Sequence, residues 1–166
     1  MLVIIDMQNH ILDHKNGSYV AKAKTIIPKI AERLNSARQN GEYVLFTKDV
    51  PIRYKGTLTE ENDSFQIISQ LQPLAHEKVL QKYYYTLSPD ILLDLKRTLF
   101  KSKKEQKTIE IVGVETNLCV FSNTLALQGA FPEADFIINC ELVASSDQDE
   151  EALKLLKRFN IDVKEK

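Results

Sequence analysis

The chain has 166 residues, 43% of them apolar and 27% charged, with a formal net charge of −1. That length suits one domain, residues 1–166, with a sizeable core, and the near-neutral balance gives no global pull towards nucleic acid or an anionic membrane. No run approaches the ~20 apolar residues of a membrane span, and the N-terminal LVII is too short for a signal-peptide core. The expectation is a cytoplasmic protein whose two cysteines, Cys119 and Cys140, are reduced thiols.

Along the chain, two hydrophobic periods alternate. LVIID (2–6) is an apolar run of the kind buried on both faces of a sheet. Residues 10–24 are irregular, with Asn16-Gly17 as a turn signal. The spacing over 25–39 predicts a helix, which Asn40-Gly41 should end. YVLFTKD (43–49) predicts a second strand, a polar connection follows, and after the short apolar patch FQIISQL comes KVLQK (78–82), a third strand. Ser88-Pro89 opens a helix as cap and first residue, running to about Lys101. KSKKEQK (101–107) has no interleaved aromatics and reads as a solvated loop.

TIEIVGV (108–114) is the fourth strand, and a helix carrying Cys119 follows, to about Gln128. DFIINC (135–140) is the fifth strand. Ser145 to Glu151 reads as a capped helix start, with Lys154, Lys157 and Arg158 suiting the negative end, and IDVKE (161–165) is a last short strand. The pattern implies an α/β fold of three layers: a mainly parallel sheet of about six strands with helices on both faces, Rossmann-like in kind. In such sheets ligands bind beyond the carboxyl ends of the strands.

Asp6 ends the first strand, Lys82 ends the third, and Cys119 follows the fourth. Each alone has a plain structural reading: a loop cap, a solvated strand end, a buried thiol. Together at one end of a sheet they make chemical sense. A helix start and a nearby ammonium favour a thiolate nucleophile, while a carboxylate can take the thiol proton and return it to a leaving amine. The carboxylate also repels the thiolate, so the pair should titrate as a unit whose balance Lys82 sets. Lys78 has the same parity as Lys82 along KVLQK and competes for the role.

The sequence resembles the isochorismatase-like cysteine hydrolases, the group containing nicotinamidases, N-carbamoyl amide hydrolases and isochorismatases. The resemblance rests on LVIIDMQN, YVLFTKD, KYYYT, GVETNLCV and VASSDQDEEAL, in that order along nearly the whole chain. It implies Asp6 as general base, Lys82 as triad lysine and Cys119 as nucleophile. It also implies a cis peptide between Val114 and Glu115, with the N–H groups of Glu115 and Cys119 binding an oxyanion. Gln8 matches a supporting position beside the aspartate, and of Tyr83, Tyr84 and Tyr85 the residue taken as a pocket wall is Tyr84.

The chain departs from nicotinamidases. Asp49 stands where their metal site begins, but Val50, Pro51, Ile52 and Arg53 follow, and no histidine occurs between His14 and His76. Zinc or iron would want imidazole ligands, so neither metal nor cofactor is expected, and His10, His14 and His76 read as surface or structural residues. The activity implied is C–N hydrolysis of a small amide or carbamoyl compound through an acyl-enzyme. Its rivals are isochorismatase-type vinyl ether hydrolysis and a non-catalytic binding protein that kept the fold. A homo-oligomer, dimer or tetramer, is implied by the resemblance alone.

Overall fold

A computed structural model describes residues 1–99 and 107–165. Among the described residues, seven strands and four α-helices follow one another: β1 (Leu2–Ile5), α1 (Ala23–Gln39), β2 (Val44–Asp49), β3 (Lys78–Lys82), α2 (Pro89–Leu99), β4 (Lys107–Val114), α3 (Phe121–Ala130), β5 (Ala134–Asn139), β6 (Val143–Ala144), α4 (Asp149–Arg158) and β7 (Asp162–Lys164). Every strand pair is parallel, in the order β3-β2-β1-β4-β5-β7, with the two-residue β6 laid beside the end of β4. The extra strand over the expected six is β6, too short to show any periodicity. The end of the predicted second helix and the lysine-rich loop over 101–106 lie outside the described residues.

Alternation along β1 explains the layers. Leu2 and Ile4 face a core with Ile30 and Leu34 of α1, whereas Val3 and Ile5 face a second core with Leu95, Leu127 and Leu156 of α2, α3 and α4. All four β1 residues are buried, as a strand covered on both faces requires. Each fully buried Ile or Leu contributes about 1.5–3 kcal/mol of apolar burial.

Two helix boundaries differ from expectation. α1 starts at Ala23, two residues early, and carries Pro28 inside it. Asn40 and Gly41 do follow its end, with Gly41 at φ +64° in the left-handed conformation that closes helices. α4 has no serine cap. Its preceding residue is Gln148 at φ +56°, without a side-chain cap hydrogen bond, and the single O–H of Ser145 is shared between the Asp149 carboxylate and the Asp147 carbonyl. The acidic first turn of Asp149, Glu150 and Glu151 and the basic end at Lys157 and Arg158 are present.

Between β2 and β3 the chain makes four short 3₁₀ turns rather than a helix or strand. This segment is stitched to the chain just after β1 by a bridge between Gln8 and Ile67.

Candidate active site

The strand order puts the ends of β1, β2, β3 and β4 side by side, and four polar groups converge there. Lys82 is 2% exposed. Its Nζ lies 2.7 Å from Asp6 Oδ2 and donates to Asp49 Oδ1 at 3.0 Å, to the Tyr84 carbonyl at 3.0 Å and to Cys119 Sγ at 3.3 Å. The 2.7 Å contact with Asp6 is an ion pair without hydrogen-bond alignment, so Oδ2 keeps an acceptor position open. Lys78, the competitor, pairs with Asp94 at the surface.

Asp6 leaves β1 at φ +50°, a left-handed conformation that aspartate tolerates better than most residues. The Thr47 hydroxyl fixes it there, donating to Asp6 Oδ1 at 2.6 Å while accepting the Asp6 N–H at 3.2 Å. Gly113 lets β4 come this close. It pairs with Ile5 at φ +117°, and a Cβ there would lie 2.1 Å from the Ile5 carbonyl oxygen.

After β4 the Val114–Glu115 peptide is cis, and Thr116–Val120 form one π-helical turn before α3. Cys119 therefore sits in that turn, not in the first turn of the α-helix. Asn123, fully buried, ties it to the loop after Lys82: its Nδ2 donates to the carbonyls of Cys119 at 2.7 Å and Tyr85 at 2.9 Å, and its Oδ1 accepts the Leu87 N–H at 2.9 Å. Asn123 and Thr47 went unnoticed in the sequence; the available signal for Asn123 is a polar amide at an inward position of an apolar helix.

The charges oppose one another. Burial disfavours the Lys82 ammonium, but Asp6, Cys119 and Asp49 outweigh it and raise its pKa. Burial, then the Asp6 charge, pushes the Cys119 thiol above its ordinary value, with Lys82 offsetting only part. Burial and the Asp6 charge thus oppose the help that a helix start and the Lys82 cation give to a thiolate. Burial also raises the Asp49 carboxyl.

Cys119, Asp6, Glu115, Leu118, Tyr85 and His10 line a cavity of about 270 Å³. A polar neighbour of about 320 Å³ shares His10, Ser18 and Asp49 with it and extends to Arg53, Asn62 and Ser64. His10 is thus a lining residue, its Nδ1–H donating to the Ser64 carbonyl at 3.0 Å. Tyr84 does not line the cavity of Cys119: the residue is 71% exposed and borders a separate cavity, and Tyr85 is the wall. Gln8 is a scaffold. Its Nε2 donates to the carbonyls of Asp49 and Phe65, its Oε1 accepts the Asp49 N–H, and the side chain is fully buried away from the cavity.

The sequence model of the isochorismatase domain matches residues 1–161. The chain belongs to the isochorismatase family. No curated protein matches it in sequence. As an isochorismatase-family hydrolase it has the fold of solved relatives. An isochorismatase-like hydrolase from Alkaliphilus metalliredigens is 22% identical with a TM-score of 0.80, covering 98% of this chain and 89% of that one. A zinc-bound pyrazinamidase of Pyrococcus horikoshii is 18% identical at 0.79, covering 99% and 98%. N-carbamoylsarcosine amidase from Thermoplasma acidophilum is 20% identical at 0.77, covering 99% and 94%.

A zinc site like the pyrazinamidase's does not fit the isochorismatase-family residues here. Asp49 is paired to Lys82, the next side chains offer no donor until the cationic Arg53, and Arg53 lines the same cavity. Among the described residues no three His, Cys, Asp or Glu side chains group to hold a metal. No described helix is long and apolar enough to cross a membrane.

Proposed function

We propose that this hydrolase cleaves the C–N bond of a small amide or carbamoyl compound with Cys119 as nucleophile. The observation that carries the reading is the shared ammonium: Lys82 Nζ lies 2.7 Å from the Asp6 carboxylate and 3.3 Å from the Cys119 thiol, and Asp6 and Cys119 line one cavity. The open acceptor position on Asp6 Oδ2 supports it further, since a base needs a free lone pair for the proton it takes. The fold shared with N-carbamoylsarcosine amidase supports the choice of substrate class.

In this reading Asp6 takes the thiol proton as sulfur attacks the carbonyl carbon. The carbonyl π pair moves to oxygen, and the N–H groups of Glu115 and Cys119 hold the oxyanion. Collapse breaks the C–N bond, and Asp6 passes its proton to the departing nitrogen. Water then attacks the thioester and gives its proton to Asp6. The second tetrahedral species expels sulfur, which recovers that proton, and the acid product leaves. Lys82 holds the carboxylate in place and offsets the negative charge that passes from Asp6 to sulfur.

A panel of amides, ureas and carbamoyl acids should contain a substrate, and mass spectrometry of enzyme quenched during turnover should find the acyl group on Cys119. Cys119→Ala should lose roughly a thousandfold or more in rate. An adduct confined to Cys140, or near-normal turnover by Cys119→Ala, would overturn the reading.

A further inference from the structure

The mechanism above leaves the segment after β6 without a task, yet that segment grips the nucleophile's turn at three consecutive residues. The Ser146 N–H donates to Glu115 Oε2 at 2.8 Å, the Thr116 hydroxyl to Asp149 Oδ1 at 2.5 Å, and Asn117 Nδ2 to Asp147 Oδ1 at 3.3 Å. β6 brings the segment there by pairing with Gly113 and Val114.

Asp149 is the hub. Its Oδ1 also accepts at 2.8 Å from the Ser145 hydroxyl, which shares its proton with the Asp147 carbonyl, and its Oδ2 accepts Lys22 Nζ at 2.8 Å. Thr116 and Ser145 are fully buried, whereas Lys22 is open to solvent, so the two hydroxyl bonds matter more than the ion pair. Donors arrive on both oxygens, as suits a carboxylate, which accepts on both and donates on neither. An asparagine would point an NH₂ either at Lys22 or at the two hydroxyls. Burial works against this charge, but bonds from Lys22, Thr116 and Ser145 hold the carboxyl below its usual range.

We propose that Asp149 is a positioning residue for the oxyanion site: by clamping Thr116 it fixes the turn whose Glu115 and Cys119 N–H groups face the reacting carbonyl. This rests on the proposed acyl chemistry. Misplacing such donors by about an ångström costs on the order of a hundredfold in rate, without touching the thiol itself. Hydrolysis and alkylation therefore separate the roles, because displacement on iodoacetamide builds no oxyanion.

Wild type, Asp149→Asn, Thr116→Val and Thr116→Ser should be compared. Asp149→Asn and Thr116→Val should lower kcat by about ten- to a hundredfold with KM nearly unchanged, while Thr116→Ser keeps the hydroxyl and recovers most of the rate. Iodoacetamide should alkylate Cys119 at the wild-type rate in all four. Unchanged kcat in Asp149→Asn and Thr116→Val, or parallel losses of hydrolysis and alkylation, would overturn the proposal. If wild type forms no acyl-enzyme, the functional reading falls, and the ¹H–¹⁵N shifts of Glu115 and Cys119 decide the clamp. Their displacement in Asp149→Asn supports it, and identical shifts refute it.

Discussion

Two charge networks sit at opposite ends of the same strands, and they are built on different arithmetic. Where β1 begins, Arg33 reaches down from α1. Its Nε donates to Glu110 at 2.6 Å and its two terminal nitrogens make a 2.9 Å fork on Glu42. All three nitrogens have a partner and the geometry is bidentate. Where the strands end, Lys82 is more deeply buried, yet its ammonium has three N–H donors facing four acceptors: Asp6, Asp49, the Tyr84 carbonyl and Cys119. A network with matched donors and acceptors holds still. One with an acceptor to spare has somewhere for a proton to go.

The largest expected effect lies at the crowded end. Lys82→Met should cut hydrolysis by roughly a hundred- to a thousandfold and move the pH at which Cys119 is alkylated upward by about a unit or more. Asp6→Asn should be as inactive but move that pH downward. It removes the second cause of the raised thiol pKa and leaves Lys82 to favour the thiolate. Shifts of the same sign in both variants would break the comparison.

A middle-sized effect belongs to the matched end. Arg33→Met should leave hydrolysis intact and cost about 1–3 kcal/mol of stability at neutral pH, since two carboxylates lose their donor. The pH dependence has a definite sign. The Arg33 hydrogen bond lowers the Glu42 carboxyl from its ordinary 4.5. The stability it gives is thus present above that value and lost as pH falls through the lower folded one. In Arg33→Met, denaturant midpoints should show less of that acid loss; an unchanged acid profile would deny the pair its role. The smallest effect is Lys78→Met. Its exposed 3.1 Å pair with Asp94 should be worth under about 1 kcal/mol, with alkylation and hydrolysis unaltered. A catalytic loss there would move the lysine assignment from Lys82 to Lys78.

What the sequence showed of this site followed from periodicity. Asp6, Lys82 and Cys119 could be found because apolar strands end visibly, and a parallel sheet collects its strand ends on one side. Facing is harder to read than position. Three consecutive tyrosines leave a sheet edge in a loop, where no period says that Tyr85 turns to the cavity and Tyr84 to solvent. Capping chemistry misleads in the same way at Ser145: serine before an acidic helix start reads as a cap until Asp149 claims its hydroxyl. Burial was invisible too, and with it the sign of the thiol shift, because the sequence shows charges but not the water removed from around them. Thr47 works on Asp6 from 41 residues away, and Asn123 joins Cys119 to a loop 36 to 38 residues earlier, with nothing nearby in sequence to announce either span.

Gly113 has a consequence for how the sheet assembles. The missing side chain opposite Ile5 is a keyway. A Cβ on the Gly113 backbone would meet the Ile5 carbonyl oxygen at 2.1 Å, so a side chain there would wedge β4 away from β1. Asp6 follows Ile5, and the turn bearing Cys119 follows Val114, so the same wedge would part acid from thiol. The absent methyl thus acts as a spacer set to zero, by which the closest approach of two strands is handed on to the groups at their ends.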